Sequence, residues 1–280
     1  MIRSILVCTD GSPRSDVAAD YAIDLAKRLK ARLLGLHVLD LRLFEGPLLA
    51  DLSGAIGAQP YSDQIGRFRD FLTRRGEAVM TAFVSRCTTA GLQTESLIRT
   101  GHPPRVILQE EAHAELIVLG QKGEHADVIG EMMGSTVERV MRNSVKPCLV
   151  TPTEYQPFSR ILAAFDGSTH AGQALREAAE LAIAMDIELV VLTVGENSHE
   201  GQTEEISQDA KDLVKPHGAK ASFVTVHGRT AAAILETARS HKCGLIALGA
   251  YGHSRIREMV LGSTTTQVVS RAHVPVLIVR

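Results

Sequence analysis

Residues 4–12, SILVCTDGS, return at 160–168 as RILAAFDGS, and three more segments return after them in the same order. The stretch 115–123, ELIVLGQKG, is matched by 244–252, GLIALGAYG. Gly134-Ser135-Thr136 is matched by Gly262-Ser263-Thr264, and Pro147-Cys148-Leu149-Val150 by Pro275-Val276-Leu277-Ile278. An ordered repeat of this length means one folding unit written twice, because each copy must close the same core. The join lies at about Thr151 to Ser159, where Pro152 and Pro157 break regular structure. One domain is therefore expected over 1–152 and a second over 158–280. With 280 residues in all, each copy is long enough to bury its own core.

Within each copy, apolar runs alternate with amphipathic stretches. The expected strands are 4–9, 32–39, 94–99, 115–119 and 148–151, then 160–165, 187–194, 220–226, 244–248 and 275–279. Several are continuously apolar, as strands covered on both faces must be. Between the first two strands Ala18, Tyr21, Ala22, Leu25, Ala26 and Leu29 recur at three- and four-residue spacing, which predicts a helix with one buried face. Ser12 and Pro13 fit its N-cap and first turn. Ala171, Leu175, Ala178, Ala179 and Ala182 repeat the pattern in the second copy. Strand–helix alternation implies right-handed crossovers and parallel sheets, hence an α/β fold of two tandem Rossmann-like domains. In such sheets ligands bind beyond the carboxyl ends of the strands, where the strand order reverses.

The informative segment follows the fourth strand. In the second copy it reads Gly249-Ala250-Tyr251-Gly252, nine further residues, then Gly262-Ser263-Thr264. Glycines let a backbone approach a ligand and adopt positive φ. Free amides at a helix start, aided by its dipole, favour an anion. Ser263 and Thr264 add hydroxyl donors. The pattern reads as a phosphate cradle, with tight turns alone as the alternative. Recurrence at the same place in both copies favours the cradle. Asp10 and Asp166 end the first strand of each copy, and each faces the crevice of its own copy. Each suits a base or ribose hydrogen bond, and each also suits a turn before a helix; the two roles can coexist. No G-x-x-x-x-G-K-[ST], no G-x-G-x-x-G after the first strand and no G-x-S-x-G occurs, which argues against a P-loop ATPase, a dinucleotide fold of the usual kind and a nucleophile-elbow hydrolase.

Asp10-Gly11-Ser12, Gly101-His102-Pro103, Gly120/Gly123 and Gly134-Ser135, with Asp166-Gly167-Ser168, His227-Gly228, Gly249/Gly252 and Gly262-Ser263, resemble the universal stress protein domain, twice over nearly the whole chain. ATP-binding members of that family show G-x-x-G, nine residues, then G-[ST]. The second copy fits this spacing, whereas ten residues separate Gly123 from Gly134 in the first. The resemblance implies adenine-nucleotide-α-hydrolase-like domains of five parallel strands in the order 3-2-1-4-5. It implies ATP, with or without Mg²⁺, in each. Adenine would lie near Asp166 and Val194, or Asp10 and Val38. Ribose and phosphates would follow Gly228, Gly249, Gly252, His253, Gly262, Ser263 and Thr264, or Gly101, Gly120, Gly123, Gly134, Ser135 and Thr136. Stress-linked signalling and dimer formation are further implications. The last strand of this family often pairs with its counterpart, so two fused copies could pair within one chain, and a homodimer would be a further step.

The remaining features point away from other classes. Formal net charge is −2 with no Lys/Arg block, so no electrostatic footprint for nucleic acid exists. The apolar run at 4–9 is too short for a signal core or a membrane span. Cys8, Cys87, Cys148 and Cys243 are widely spaced with no C-x-x-C pair, which suits a reducing cytoplasm and not zinc or redox work. His102, His125, His227 and His253 fall near the expected site without zinc-ligand spacing; His253, beside Gly252, is placed for a phosphate or is a solvated loop histidine. Residues 41–61, apolar and glycine-rich, have no counterpart in the second copy. They either cover the first site, pack against a neighbour, or form a plain insertion. A helix with Ile65, Phe68, Leu72, Val79, Phe83 and Cys87 on one stripe is expected to follow. No catalytic set accompanies the cradle: Lys122 lies in the first loop, but Tyr251 takes that place in the second. A nucleotide-dependent regulator is the leading reading. A slow Mg²⁺-dependent ATPase or transferase working through Asp10 or Asp166 is the second, and a scaffold without nucleotide the third.

Overall fold

A computed structural model of the chain describes residues 2–40, 60–123, 133–195, 200–252 and 261–280. Most of the apolar insertion, His125 and His253 lie outside the described residues, as do the side chains of Ile65 and Phe68. The first half runs β1 (Ser4–Cys8), α1 (Pro13–Leu29), β2 (Arg32–Asp40), α2 (Pro60–Thr89), β3 (Thr94–Gly101), α3 (Pro103–Glu110), β4 (Leu116–Gly120), α4 (Ser135–Asn143) and β5 (Cys148–Thr151). The second runs β6 (Arg160–Ala164), α5 (Thr169–Ala184), β7 (Glu188–Gly195), α6 (Glu200–Val214), β8 (Ala221–His227), α7 (Thr230–Ser240), β9 (Leu245–Gly249), α8 (Ser263–Arg271) and β10 (Val276–Val279).

These strands form one sheet in the order β3-β2-β1-β4-β5-β10-β9-β6-β7-β8. Each half therefore has the order 3-2-1-4-5, all parallel, and the two halves join edge to edge. The join is antiparallel, with Cys148 opposite Ile278, Leu149 opposite Leu277 and Val150 opposite Val276. The intramolecular pairing of last strands is thus present, and it removes two apolar edges that would otherwise be open templates for pairing.

Both faces of the sheet are buried along its central strands, while the outer strands β3 and β8 are partly exposed. Ile5 and Leu6 are neighbours in β1, both 0% exposed, yet they enter different cores. The same holds for Ile161 and Leu162. This is the physical reason for uninterrupted apolar runs: successive side chains point to opposite faces, and helices cover each face. One core sets α1, α2 and α5 against the sheet through Tyr21, Leu25, Phe83 and Leu175; the other sets α3, α4, α7 and α8 through Ile107, Val140, Ile234 and Val268. Each core spans both halves, so the seam is packed as well as hydrogen-bonded. The linker is held too: Gln156 N–H donates to the Tyr21 hydroxyl at 3.0 Å, and Arg28 Nη1 donates to Phe158 O at 3.1 Å. Leu72, Phe83 and Cys87 of the expected α2 stripe are buried, and Val79 covers Gly11. Among the described residues no helix is long and apolar enough to cross a membrane.

Candidate functional site

The strand order reverses between β1 and β4 in the first half and between β6 and β9 in the second, so a crevice opens there beyond the carboxyl ends. Asp10 and Asp166 stand at its floor. One carboxylate oxygen makes the turn: Oδ1 of Asp10 accepts from Ser12 N–H at 3.0 Å, and Oδ1 of Asp166 from Ser168 N–H at 2.9 Å. The serines then cap the helices, Ser12 Oγ accepting from Ser15 N–H at 3.2 Å and Ser168 Oγ from Ala171 N–H at 3.3 Å. Gly11 and Gly167 between them have φ of 79° and 84°, which a side chain would strain. The other oxygen, Oδ2, faces the glycine loop. A Cβ on Gly123 would lie 3.2 Å from Asp10 Oδ2, and one on Gly252 would lie 3.0 Å from Asp166 Oδ2. Turn-making and crevice-facing are therefore divided between two oxygens of one side chain.

The loop glycines fall into three groups. Gly249 permits close packing, since a Cβ there would stand 2.7 Å from Ala171 N; at Gly120 the nearest atom would be Arg14 O at 3.2 Å. Gly123 and Gly252 leave room beside the aspartates. Gly134 and Gly262 meet neither demand. Their φ values are −65° and −56°, open to any residue, and a Cβ would find its nearest protein atoms at 3.5 and 3.4 Å, ordinary or nearly ordinary contact. The expectation that positive φ explains the loop is corrected here: among the glycines of the site it occurs at Gly11, Gly167, Gly101 and Gly228, and not at Gly120, Gly123, Gly134, Gly249, Gly252 or Gly262. At the loop, backbone proximity is what counts.

Gly134 and Gly262 are the N-caps of α4 and α8, and among the described residues no side chain caps either helix. Their own amides fold back, donating to Gln121 O and Ala250 O at 3.1 Å each. These bonds pin each helix start against the glycine loop. The next amides, of Ser135, Thr136 and Val137 or of Ser263, Thr264 and Thr265, form the first turn, where a helix has no internal acceptors and its dipole is positive. Ser135 and Ser263 are exposed, and Thr136 and Thr264 are half-buried. Thr265 instead ties α8 to the strand, Oγ1 donating to Gly249 O at 3.0 Å.

Val38 and Val194 border the crevice on the other side. The last register pair of β1 with β2 is Cys8 with Leu36, and Thr9 N–H still reaches Leu36 O at 2.9 Å. Val38, two residues on, turns its backbone groups the same way, beyond the end of β1. Phe165 N–H reaches Leu192 O at 2.9 Å in the second half, and Val194 lies equally beyond. In the first half His37 Nδ1 lies 2.8 Å from Thr9 O, whereas Thr193 holds that place in the second. Gly101 and Gly228 close the outer strands, two strands away from the aspartates, with φ of 156° and 142°. His102 precedes α3 without a capping bond, and His227 is exposed at the end of β8.

Residues around the cradle differ between halves in a way the repeat did not announce. Tyr251 sits in the second loop with its ring edge-on to His170 at 5.2 Å and beneath the Arg280 guanidinium at 5.6 Å. Its hydroxyl donates to Arg142 O at 3.3 Å, in the other half of the chain. Gln121 of the first loop donates from Nε2 to Val269 O, also across the seam. A repeat search aligns Gln121 with Ala250 and Lys122 with Tyr251, so similarity between copies carries no signal for either contact. The cysteines are free thiols. Burial pushes Cys148 up to about 12 and Cys243 up to about 11, and pushes Cys8 and Cys87 up as well.

Comparison with known proteins follows the duplicated architecture. The Universal stress protein family matches twice, at residues 1–152 and 157–280. The Synechocystis universal stress protein Slr1230 is 29% identical, with all of this chain and all of that one covered. The crystal structure of a universal stress protein from Archaeoglobus fulgidus covers 99% of this chain and 96% of its own, with TM-score 0.75 and 22% identity. A universal stress protein solved in complex with cAMP is 28% identical over 45% of this chain and 98% of its own, with TM-score 0.40.

Proposed function

The chain belongs to the universal stress protein family, and from that premise we propose that it is a regulator whose state depends on adenine nucleotide, with ATP as the ligand of each half. The observation that carries the reading is Gly134 and Gly262. Among the described residues, neither backbone angle nor packing demands glycine at these positions, yet both copies keep it at the mouth of a helix. A polyphosphate lying against the first-turn amides supplies the missing reason.

In this reading the phosphates lie on the amides and hydroxyls of Ser135 and Thr136, or Ser263 and Thr264. Gly123 and Gly252 leave the passage to the aspartates open. Oδ2 of Asp10 or Asp166 accepts from the ribose or base, and the backbone of Val38 or Val194 meets the adenine edge. Mg²⁺, where it accompanies ATP, would ride on the phosphates and neutralise their charge. The second half has the family spacing and is the stronger site. A reducing cytoplasm is the setting this reading takes, supported by four unpaired cysteines. Dimerisation beyond the intramolecular pair forms no part of it.

Isothermal titration with ATP tests the assignment on the intact chain and on the double variant Gly252→Val, Gly262→Val. Loss of one binding event is expected in the variant. Equal stoichiometry and affinity in both proteins would reject the site.

A further inference from the structure

The two contacts across the seam form a crossed pair. Helix α4 opens at its N-terminus onto the first crevice. Near its other end, Arg142 O accepts from the hydroxyl of Tyr251, a residue of the second glycine loop, at 3.3 Å. Arg280 Nη1 donates to the same oxygen at 3.3 Å and lies over the tyrosine ring, so Tyr251 is held from two directions. Helix α8 opens onto the second crevice. Near its other end, Val269 O accepts from Gln121 Nε2, a residue of the first glycine loop, in a buried bond. Gln121 also accepts from Gly134 N–H at 3.1 Å through its own backbone carbonyl, so one residue touches both cradle helices.

Each glycine loop is thus fastened to the far end of the other site's cradle helix. Both helices have nine residues, about 13 Å at 1.5 Å per residue. A body that short and hydrogen-bonded moves as a unit, so a displacement at its mouth reaches the carbonyl at its tail. Occupancy of one crevice acts on the amides at the mouth of one helix. The tail of that helix bears on the loop that shapes the other crevice. The two fastenings come from different loop positions and different chemistries, an amide in one half and a phenol in the other. They are therefore features of this joined chain and no product of strict duplication.

We propose that the two sites are energetically coupled through this crossed pair, with Gln121 and Tyr251 as the positioning residues. The proposal rests on the nucleotide reading above and adds the regulation of its sites. Linkage requires the coupling to be reciprocal: whatever factor site one exerts on site two, site two exerts on site one.

The test is a set of ATP titrations of the full chain. Gly134→Val blocks the first site and gives the constant of the second; Gly262→Val gives the constant of the first. The unblocked chain gives the overall constant for filling both. The overall constant divided by the product of the two single-site constants is the coupling factor. It is expected to depart from unity by about fivefold or more. The same three titrations are repeated with Gln121→Ala and Tyr251→Phe added, and there the factor is expected to return to unity. Each background supplies its own single-site constants, so a change that merely weakens a site drops out of the ratio. Two binding events with a factor of unity in the unmodified seam would overturn the coupling and leave the nucleotide reading standing. A factor that persists unchanged in the seam variants would overturn the assignment to Gln121 and Tyr251. No binding to the intact chain would overturn both readings.

Discussion

The backbone of Gly252 lies so close beneath the carboxylate of Asp166 that a Cβ there would stand 3.0 Å from Oδ2, and the same relation joins Gly123 to Asp10 at 3.2 Å. Since Oδ1 of Asp166 is engaged with Ser168 N–H, the two oxygens can be separated by mutation. Asp166→Asn keeps an acceptor for the turn but removes the charge. Stability should change little, while ATP affinity at the second site falls about tenfold, the gap between a charged and a neutral hydrogen bond. Asp166→Ala removes both functions and should also cost about 1 kcal/mol of stability. Titration calorimetry paired with thermal melts of both variants reads the two effects.

The loop glycines should divide into packing and access classes. A Cβ at Gly249 meets backbone at 2.7 Å, so Gly249→Ala is expected to destabilise the protein by about 1–3 kcal/mol through overpacking. At Gly262, with φ of −56° and Ala250 O at 3.4 Å as the nearest described contact, Gly262→Ala should leave stability within about 1 kcal/mol of the parent. Binding at the second site should nevertheless weaken. Urea denaturation beside ATP titration checks both, and matching losses of stability would refute the division.

Four thiols are held protonated by burial, Cys148 up to about 12 and Cys243 up to about 11, with Cys8 and Cys87 also raised. Their folded values lie above the unfolded ones, so the unfolded chain loses protons first as pH rises. Stability from this source is complete below the ordinary thiol value and is lost upward through the folded values. The fall should reach about 1.4 kcal/mol per pH unit above pH 9 for each of Cys148 and Cys243, whose folded values stand well above that pH. Denaturation under reductant at pH 7, 8, 9 and 10 measures it. Cys148→Ala should flatten the slope, and an unchanged slope would count against the burial explanation.

The seam makes a prediction about the halves. Residues 1–152 alone would expose the edge of β5, whose Cys148, Leu149 and Val150 are buried against β10. That half should self-associate through the bare edge. Sedimentation at micromolar concentration should show dimers or larger species, whereas a persistent monomer would mean that the seam contributes little.

Much of this architecture could be read before any coordinates. Ten strands and the order of helices follow from apolar runs and from the repeat, because burial on both faces leaves a continuous trace. Ser12 as a cap was legible from local chemistry, as was the turn that Asp10 and Asp166 make before a helix. Strand ends shifted by a residue or two: β4 begins at Leu116 and not at Glu115, whose carboxylate instead accepts from Arg3 N–H at 2.6 Å. The positive φ expected of the loop glycines lies instead at Gly11, Gly167, Gly101 and Gly228, while Gly134 and Gly262 keep ordinary negative φ and are tied back to Gln121 O and Ala250 O. Gln121 and Tyr251 were not readable as seam contacts. A side chain that crosses between domains leaves no period and no motif, and these two do not even match each other.

The central claim is that first-turn amides of α4 and α8 hold the phosphates. The most direct measurement is the ¹⁵N–¹H spectrum of the full chain during ATP addition. The account predicts that the amides of Ser263, Thr264 and Thr265, with those of Ser135, Thr136 and Val137, shift together and saturate. Unmoved amides at both helix mouths, in the presence of bound ATP, would contradict it.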